Sequence, residues 1–158
     1  MERSWHENGQ LKSEYTVVDG FPHGFRRFWH KNGQLRHEDS VENGNGSELR
    51  WYENGQLKSE KNYVDGKQVG LERSWYESGQ LEGEKPYVDG KHTGLSRGWY
   101  ENGQLMVEIN HVDGKHNGLL RSWQEDGQLL LEYISVDGTI MTVDGNVISA
   151  DGEIVPKP

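Results

Sequence analysis

The sequence predicts an all-β protein: an elongated array of six β-hairpins forming one twisted, antiparallel, single-layer sheet. Three observations carry this. Gly9, Gly33, Gly55, Gly79, Gly103 and Gly127 each precede Gln-Leu, at steps of 24, 22, 24, 24 and 24 residues. All six tryptophans, Trp5, Trp29, Trp51, Trp75, Trp99 and Trp123, stand four residues before one of these glycines. Finally, Asn-Gly or Asp-Gly recurs about every ten residues, so no window can hold a 3.6-residue period. A fixed period of this length is the mark of repeat architectures.

Each unit reads as a hairpin. The first turn is expected at Asn8-Gly9, Asn32-Gly33, Asn54-Gly55, Ser78-Gly79, Asn102-Gly103 and Asp126-Gly127, and the return turn at Asp19-Gly20, Asp65-Gly66, Asp89-Gly90 and Asp113-Gly114. A two-residue type I′ turn needs φ > 0 at both central residues, which Asn-Gly and Asp-Gly supply. Counting outward from Ser78-Gly79 puts Glu77 opposite Gln80, Tyr76 opposite Leu81, Trp75 opposite Glu82 and Arg73 opposite Glu84. The same count pairs Arg3 with Glu14, Arg27 with Glu38, Arg97 with Glu108 and Arg121 with Glu132, and leaves Leu49 opposite Glu60. Cross-strand pairs of opposite charge support such a register.

This register predicts that Trp, Arg and the recurring Glu share one face. The residue after Trp shares the other with Leu, as in Tyr52/Leu57, Tyr76/Leu81 and Tyr100/Leu105. A lone hairpin can bury neither stripe, so the units must stack side by side. Twelve strands at ~4.8 Å spacing would span roughly 55–60 Å. The one 22-residue step comes from "ENGNG" at Glu42, where the link between the two glycines is two residues shorter than in "VDGKQVG".

The array is expected over residues 1–138 and a different tail over 139–158. In the tail "VDGTIMT", "VDGNVIS" and "ADGEIVP" step by seven, with Ile140, Val147, Ile148, Ile154 and Val155 as strand formers. Short strands capping the array are the reading, since terminal repeats are atypical. The opening "MERSW" matches "LERSW" within "GLERSW" from Gly70, which reads as a start inside a repeat.

Composition limits function. The net charge of −9 opposes general nucleic-acid binding and anionic membranes, and suits a basic protein partner. Mean hydropathy is −0.95, too polar for a thick core. There is no cysteine, hence no thiol chemistry. No apolar run suggests a signal peptide or membrane span, so a cytoplasmic location is expected. No nucleotide loop, HExxH or Cys–His pair points to catalysis, and the recurring Glu is accounted for by Arg. His6, His30, His37, His92 and His116 lack zinc-like spacing, and the Asp-Gly pairs at 137, 144 and 151 lack alternating calcium ligands. No cofactor or metal is expected.

Two aromatic rows stand out for binding. The Trp row is either packed between hairpins or in part an open aromatic face. Tyr52, Tyr76 and Tyr100, flanked by Glu53, Glu77 and Glu101, are the expected partner-binding residues, since aromatic anchors concentrate interface energy.

The wording "WYENGQLKSE…YVDGKxxG" resembles the MORN repeat variant found in bacterial YwqK-family antitoxins. The resemblance covers residues 1 to about 138, and it implies a β-hairpin array that binds another protein, most simply as an antitoxin or immunity protein covering a basic toxin. No single family residue carries toxin binding over to this chain. A scaffold or filament using its sheet edges is the alternative. A lipid-associated adaptor is a third reading, against which the negative charge counts.

Overall fold

The computed structural model describes residues 1–18, 21–40, 42–136, 139–142, 147–148 and 154–155. Every described element is a strand or a turn. The strands are β1 (Glu2–Trp5), β2 (Leu11–Val18), β3 (Phe21–Trp29), β4 (Leu35–Asp39), β5 (Gly46–Trp51), β6 (Leu57–Val64), β7 (Lys67–Trp75) and β8 (Leu81–Val88). They continue as β9 (Lys91–His92), β10 (Gly94–Trp99), β11 (Leu105–Val112), β12 (Lys115–Trp123), β13 (Leu129–Val136), β14 (Thr139–Met141), β15 (Val147–Ile148) and β16 (Ile154–Val155). They form one open antiparallel sheet in sequence order, β9 pairing with β8 beside the main path. The tail strands lie where the seven-residue step places them, and they extend the same sheet. The turns at Asp19-Gly20, Asp137-Gly138, Asp144-Gly145 and Asp151-Gly152 fall outside the described residues.

The return turns are as expected. Asp65, Asp89 and Asp113 have φ of 50–51°, and Gly66, Gly90 and Gly114 have φ of 75–82°. Val64 pairs with Lys67, Val88 with Lys91 and Val112 with Lys115, leaving two residues in each turn. Asn43-Gly44 forms the same turn, with φ of 51° and 80°.

The first turns are different, and this corrects the expected register. Trp75, not Tyr76, stands across from Leu81, and Tyr76 rather than Glu77 faces Gln80. The loop is Glu77-Ser78-Gly79. The Gly79 N–H donates to the Tyr76 carbonyl, and the Tyr76 N–H donates to the Gln80 carbonyl, each at 2.9 Å. Only the glycine has positive φ, 89°. This is a three-residue hairpin loop, a type I turn closed by a left-handed glycine. Glu82 then bulges out, since Ser74 pairs with Gly83 while Trp75 pairs with Leu81. One residue more in the loop and one residue bulged from the second strand cancel. Beyond the bulge the Arg–Glu pairs therefore fall where the two-residue count put them. Every first hairpin repeats the pattern, with Lys12, Arg36, Lys58, Met106 and Leu130 at the bulge. Leu thus joins Trp on the Arg/Glu face, and the expected Tyr/Leu stripe does not exist.

The Arg–Glu pairs extend into a single row across twelve strands. Arg3, Glu14, Arg27, Glu38, Leu49, Glu60, Arg73, Glu84, Arg97, Glu108, Arg121 and Glu132 are successive partners. Signs alternate everywhere except at Leu49. Arg3–Glu14 is 2.6 Å, Arg97–Glu108 is 2.8 Å, and Arg73 reaches both Glu84 (2.9 Å) and Glu60 (3.0 Å). The row is part-exposed, so each pair adds little, ~0.2–1 kcal/mol.

The second glycine of each unit has its own task. Between β6 and β7, Lys61 alone lies between the paired residues Glu60 and Asn62, while Gly70, Leu71 and Glu72 lie between their partners. Gly70 turns this bulge with φ of 73°. Gly24, Gly94 and Gly118 sit in equivalent bulges with two extra residues. Between β4 and β5 the ladder runs from His37–Arg50 through Asp39–Glu48 to Glu42–Asn45 without a shift. The 22-residue repeat is therefore a repeat without this bulge. Bulges bend and over-twist a sheet locally, and this return hairpin lacks that source of bending.

The sheet nonetheless has an inner face. Ser13, Asp39, Ser96, His111, Leu120 and Ser135 are buried, and all six point to the side opposite the Arg/Glu row. The described strands all belong to this one sheet, so side chains of neighbouring strands cover them. The tryptophans are half-buried on the other face, apart from exposed Trp5.

Candidate functional site

The expected binding residues sit on the edge made by the first turns. Glu53, Glu77 and Glu101 are exposed at the loop tips in line with one another. Tyr52, Tyr76 and Tyr100 are half-buried. Their hydroxyls donate to the backbone carbonyls of Trp75, Trp99 and Trp123, one repeat on, at 2.8–2.9 Å. His6 and His30 do the same from Nε2 to Trp29 (2.9 Å) and Trp51 (3.1 Å). The acceptor is a carbonyl, so Nε2 carries the proton. Burial, with Glu82 next, raises the phenol pKa of Tyr52 and Tyr76 above the ordinary value, keeping these donors protonated. The structure thus gives the tyrosines a tying role between hairpins.

The rest of the wording has the same logic. Asn54 Oδ1 accepts from the Gln56 N–H within its own turn, while Nδ2 donates to the Glu77 carbonyl of the next repeat at 2.8 Å. Asn8, Asn32 and Asn102 repeat both bonds. A side chain at Gly55 or Gly79 would meet the amide of Gln34 or Gln56 from the preceding repeat at 3.2–3.3 Å. Glycine is therefore required twice, for φ and for this close approach.

A second feature lies on the inner face between β3 and β6. It is an open groove of about 890 Å³ lined by Arg26, Arg36, Arg50, Lys58, Phe28 and Tyr63, with Asp39 and Glu48 beside them. Arg26 pairs with Asp39, and Arg50 with Glu48, both at 2.6 Å. Arg36 lies 5.9 Å from the Phe28 ring and Lys58 lies 5.0 Å from the Tyr52 ring. The groove spans the unbulged β4–β5 return hairpin.

The profile of the MORN repeat variant matches residues 2–19, 44–65, 68–89 and 93–113, more than half of the sequence. The chain belongs to the MORN repeat variant family. The matched stretches are the first, third, fourth and fifth units of the array. The MORN units containing Gly33 and Gly127 lie outside them. No curated protein matches the chain.

A third cluster occurs within the later MORN units, again on the inner face. Tyr87, His92, His111 and His116 follow one another across β8, β9, β11 and β12. Centroid distances are 5.3, 3.7 and 4.7 Å along the row. His92 hydrogen-bonds Ser96, and buried Nδ1 of His111 has no partner. Burial first, then His92 and His116, lower the His111 pKa to about 4. Burial and Lys85 lower that of His92, against the pull of Glu72. Tyr87, His92 and His111 stack face to face, and His116 meets the His111 ring edge-on at 82°. No group of three or more metal-competent side chains occurs among the described residues.

Sequence reasoning pointed to Tyr52, Tyr76, Tyr100 and the turn glutamates beside them, and it missed the groove and the histidine row. The signal for the groove lay in what varies. The residue after each Gln-Leu runs Lys12, Arg36, Lys58, Glu82, Met106, Leu130. This bulged position changes from basic through acidic to apolar along a repeat that is otherwise nearly constant.

Proposed function

We propose that this MORN repeat protein is a non-catalytic protein-binding module, of antitoxin or immunity type, which covers the surface of a basic partner. The observation that carries this is the row of Glu53, Glu77 and Glu101, exposed on an edge whose backbone is tied repeat to repeat. A rigid, regularly spaced acidic row accelerates association with a basic surface and fixes its register. Tyr52, Tyr76 and Tyr100 support that row and offer ring edges beside it. Family membership and the net charge of −9 agree with this reading. No helix among the described residues is long and apolar enough to cross a membrane.

The test is affinity capture of a partner, followed by the triple variant Glu53→Lys, Glu77→Lys, Glu101→Lys. A basic partner is expected, with association slowed tenfold or more at low salt and the difference shrinking as salt rises. An acidic partner, or a triple variant that binds as the parent does, overturns the proposal. The rival scaffold reading draws on the sheet being open. It requires growth in mass with concentration, which light scattering reads.

A further inference from the structure

We propose that the groove at the second and third repeats is a binding site for a short acidic peptide segment carrying apolar side chains. It is separate from the acidic turn edge and opposite to it in sign. Four cationic side chains, Arg26, Arg36, Arg50 and Lys58, line the groove against two carboxylates, Asp39 and Glu48. Both carboxylates are already engaged, one by Arg26 and one by Arg50. Among the described residues, no carboxylate pairs with Arg36 or Lys58; each rests beside an aromatic ring instead. In a chain with 26 acidic and 17 basic residues, two uncompensated cations in one open groove mark a place where the local sign reverses.

The cation–ring contacts matter for more than charge. A ring beneath a long cationic side chain limits its freedom before any ligand arrives, so less order is lost on binding. Phe28 and Tyr63 add apolar surface between the charges. A bare inorganic anion would leave that surface unused, and a neutral hydrophobe would leave Arg36 and Lys58 without a counter-charge. Nucleic acid is repelled by the net charge of −9. The volume of about 890 Å³ is in the range of sites that take a drug-sized ligand or a few residues of peptide. Because the groove is open, a chain can run along it. Other repeats lack the combination. Their bulged residues are Glu82, Met106 and Leu130 on the later side, and their return hairpins carry the glycine bulge that this segment lacks.

The experiment is fluorescence anisotropy of a labelled peptide alternating Glu and Leu, at physiological salt, with a Lys/Leu peptide as the opposite-charge probe. Saturable binding of the Glu/Leu peptide is expected, and none of the Lys/Leu peptide. Arg36→Glu with Lys58→Glu should weaken binding about tenfold or more, since hydrogen bonds to charged groups are stronger than neutral ones and the reversal adds repulsion. Lys12→Glu with Lys31→Glu makes the same change in net charge outside the groove and should stay within about twofold of the parent, because long-range effects are screened. Melting temperatures check folding, and if the double reversal melts low, Arg36→Gln with Lys58→Gln carries the comparison. Failure of the Glu/Leu peptide to bind overturns the proposal, as does equal binding by the double variant. Displacement by inorganic phosphate at concentrations near the peptide's own overturns the peptide assignment and leaves a plain anion site. None of these readings involves the basic partner, so the two proposals fail separately.

Discussion

Ser78 occupies the turn position held by Asn8, Asn32, Asn54 and Asn102 in other repeats. Those asparagines reach the next repeat's carbonyl through Nδ2, a bond a serine does not make here. Ser78→Asn should restore it toward the Glu101 carbonyl and raise stability by ~0.5–1 kcal/mol, seen as a higher melting temperature. A lower melting temperature would refute the tying role. His111 supports a second prediction at this scale. Its folded pKa of about 4 lies below the ordinary 6.5, so between those values the unfolded chain binds the extra proton. Its contribution is present in full above pH ~6.5 and is lost as pH falls toward 4, by an amount of order 2–3 kcal/mol. Lys85, His92 and His116 push the same way, and Glu72 opposes them at His92. Acid titration of the melting temperature should be steeper in the parent than in His111→Phe. Equal slopes would show that His111 titrates normally.

At the scale of the element, the two kinds of hairpin behave differently. The return hairpins use Asp-Gly in a two-residue turn and then spend two residues on a glycine bulge. Replacing Lys67-Gln68-Val69 with a single Asn copies the 22-residue repeat into the fourth unit. The expected result is a folded protein with Glu60 still opposite Arg73, because Glu38–Leu49 shows that the register beyond the bulge survives its loss. A disulfide formed by Ser59→Cys with Ser74→Cys, now cross-strand partners, reads the register. Failure to form it after the deletion would mean that the bulge, not the turn, sets the pairing. Leu49 offers a gain at the same scale. Leu49→Arg completes the alternating row between Glu38 and Glu60, and each new pair should add ~0.2–1 kcal/mol in denaturant unfolding.

The whole molecule is one-dimensional. Each strand pairs with its neighbours in sequence, and Leu120 is the one buried hydrophobic residue among those described. Stability is then close to a sum over repeats and the interfaces between them. Gly103 lies at such an interface, with φ of 87° and the Gln80 amide of the previous repeat 3.5 Å from where a Cβ would sit. Gly103→Val should cost ~1–3 kcal/mol from the backbone conformation alone. It should also uncouple the two halves, giving a broadened or two-step denaturation curve. A single transition as sharp as the parent's would show cooperativity beyond nearest neighbours.

The spacing of Gly, Trp and Glu by itself determined an all-β hairpin array, the Arg–Glu partners and the strands of the tail. Those depend on alternation and on charge, which are local and periodic. It also determined the type I′ return turns, because Asp-Gly states its φ requirement directly. What only the tertiary structure decided is how the first turn closes. Asn-Gly fits either a two-residue loop or the last two positions of a three-residue loop, and a compensating bulge hides the difference from any count made beyond it. That one choice moved Leu to the tryptophan face and turned the tyrosines toward the neighbouring repeat. The groove was hidden for a related reason. It is built from the residues in which repeats differ, on four strands brought side by side by stacking, and no spacing along the chain encodes a contact made across it.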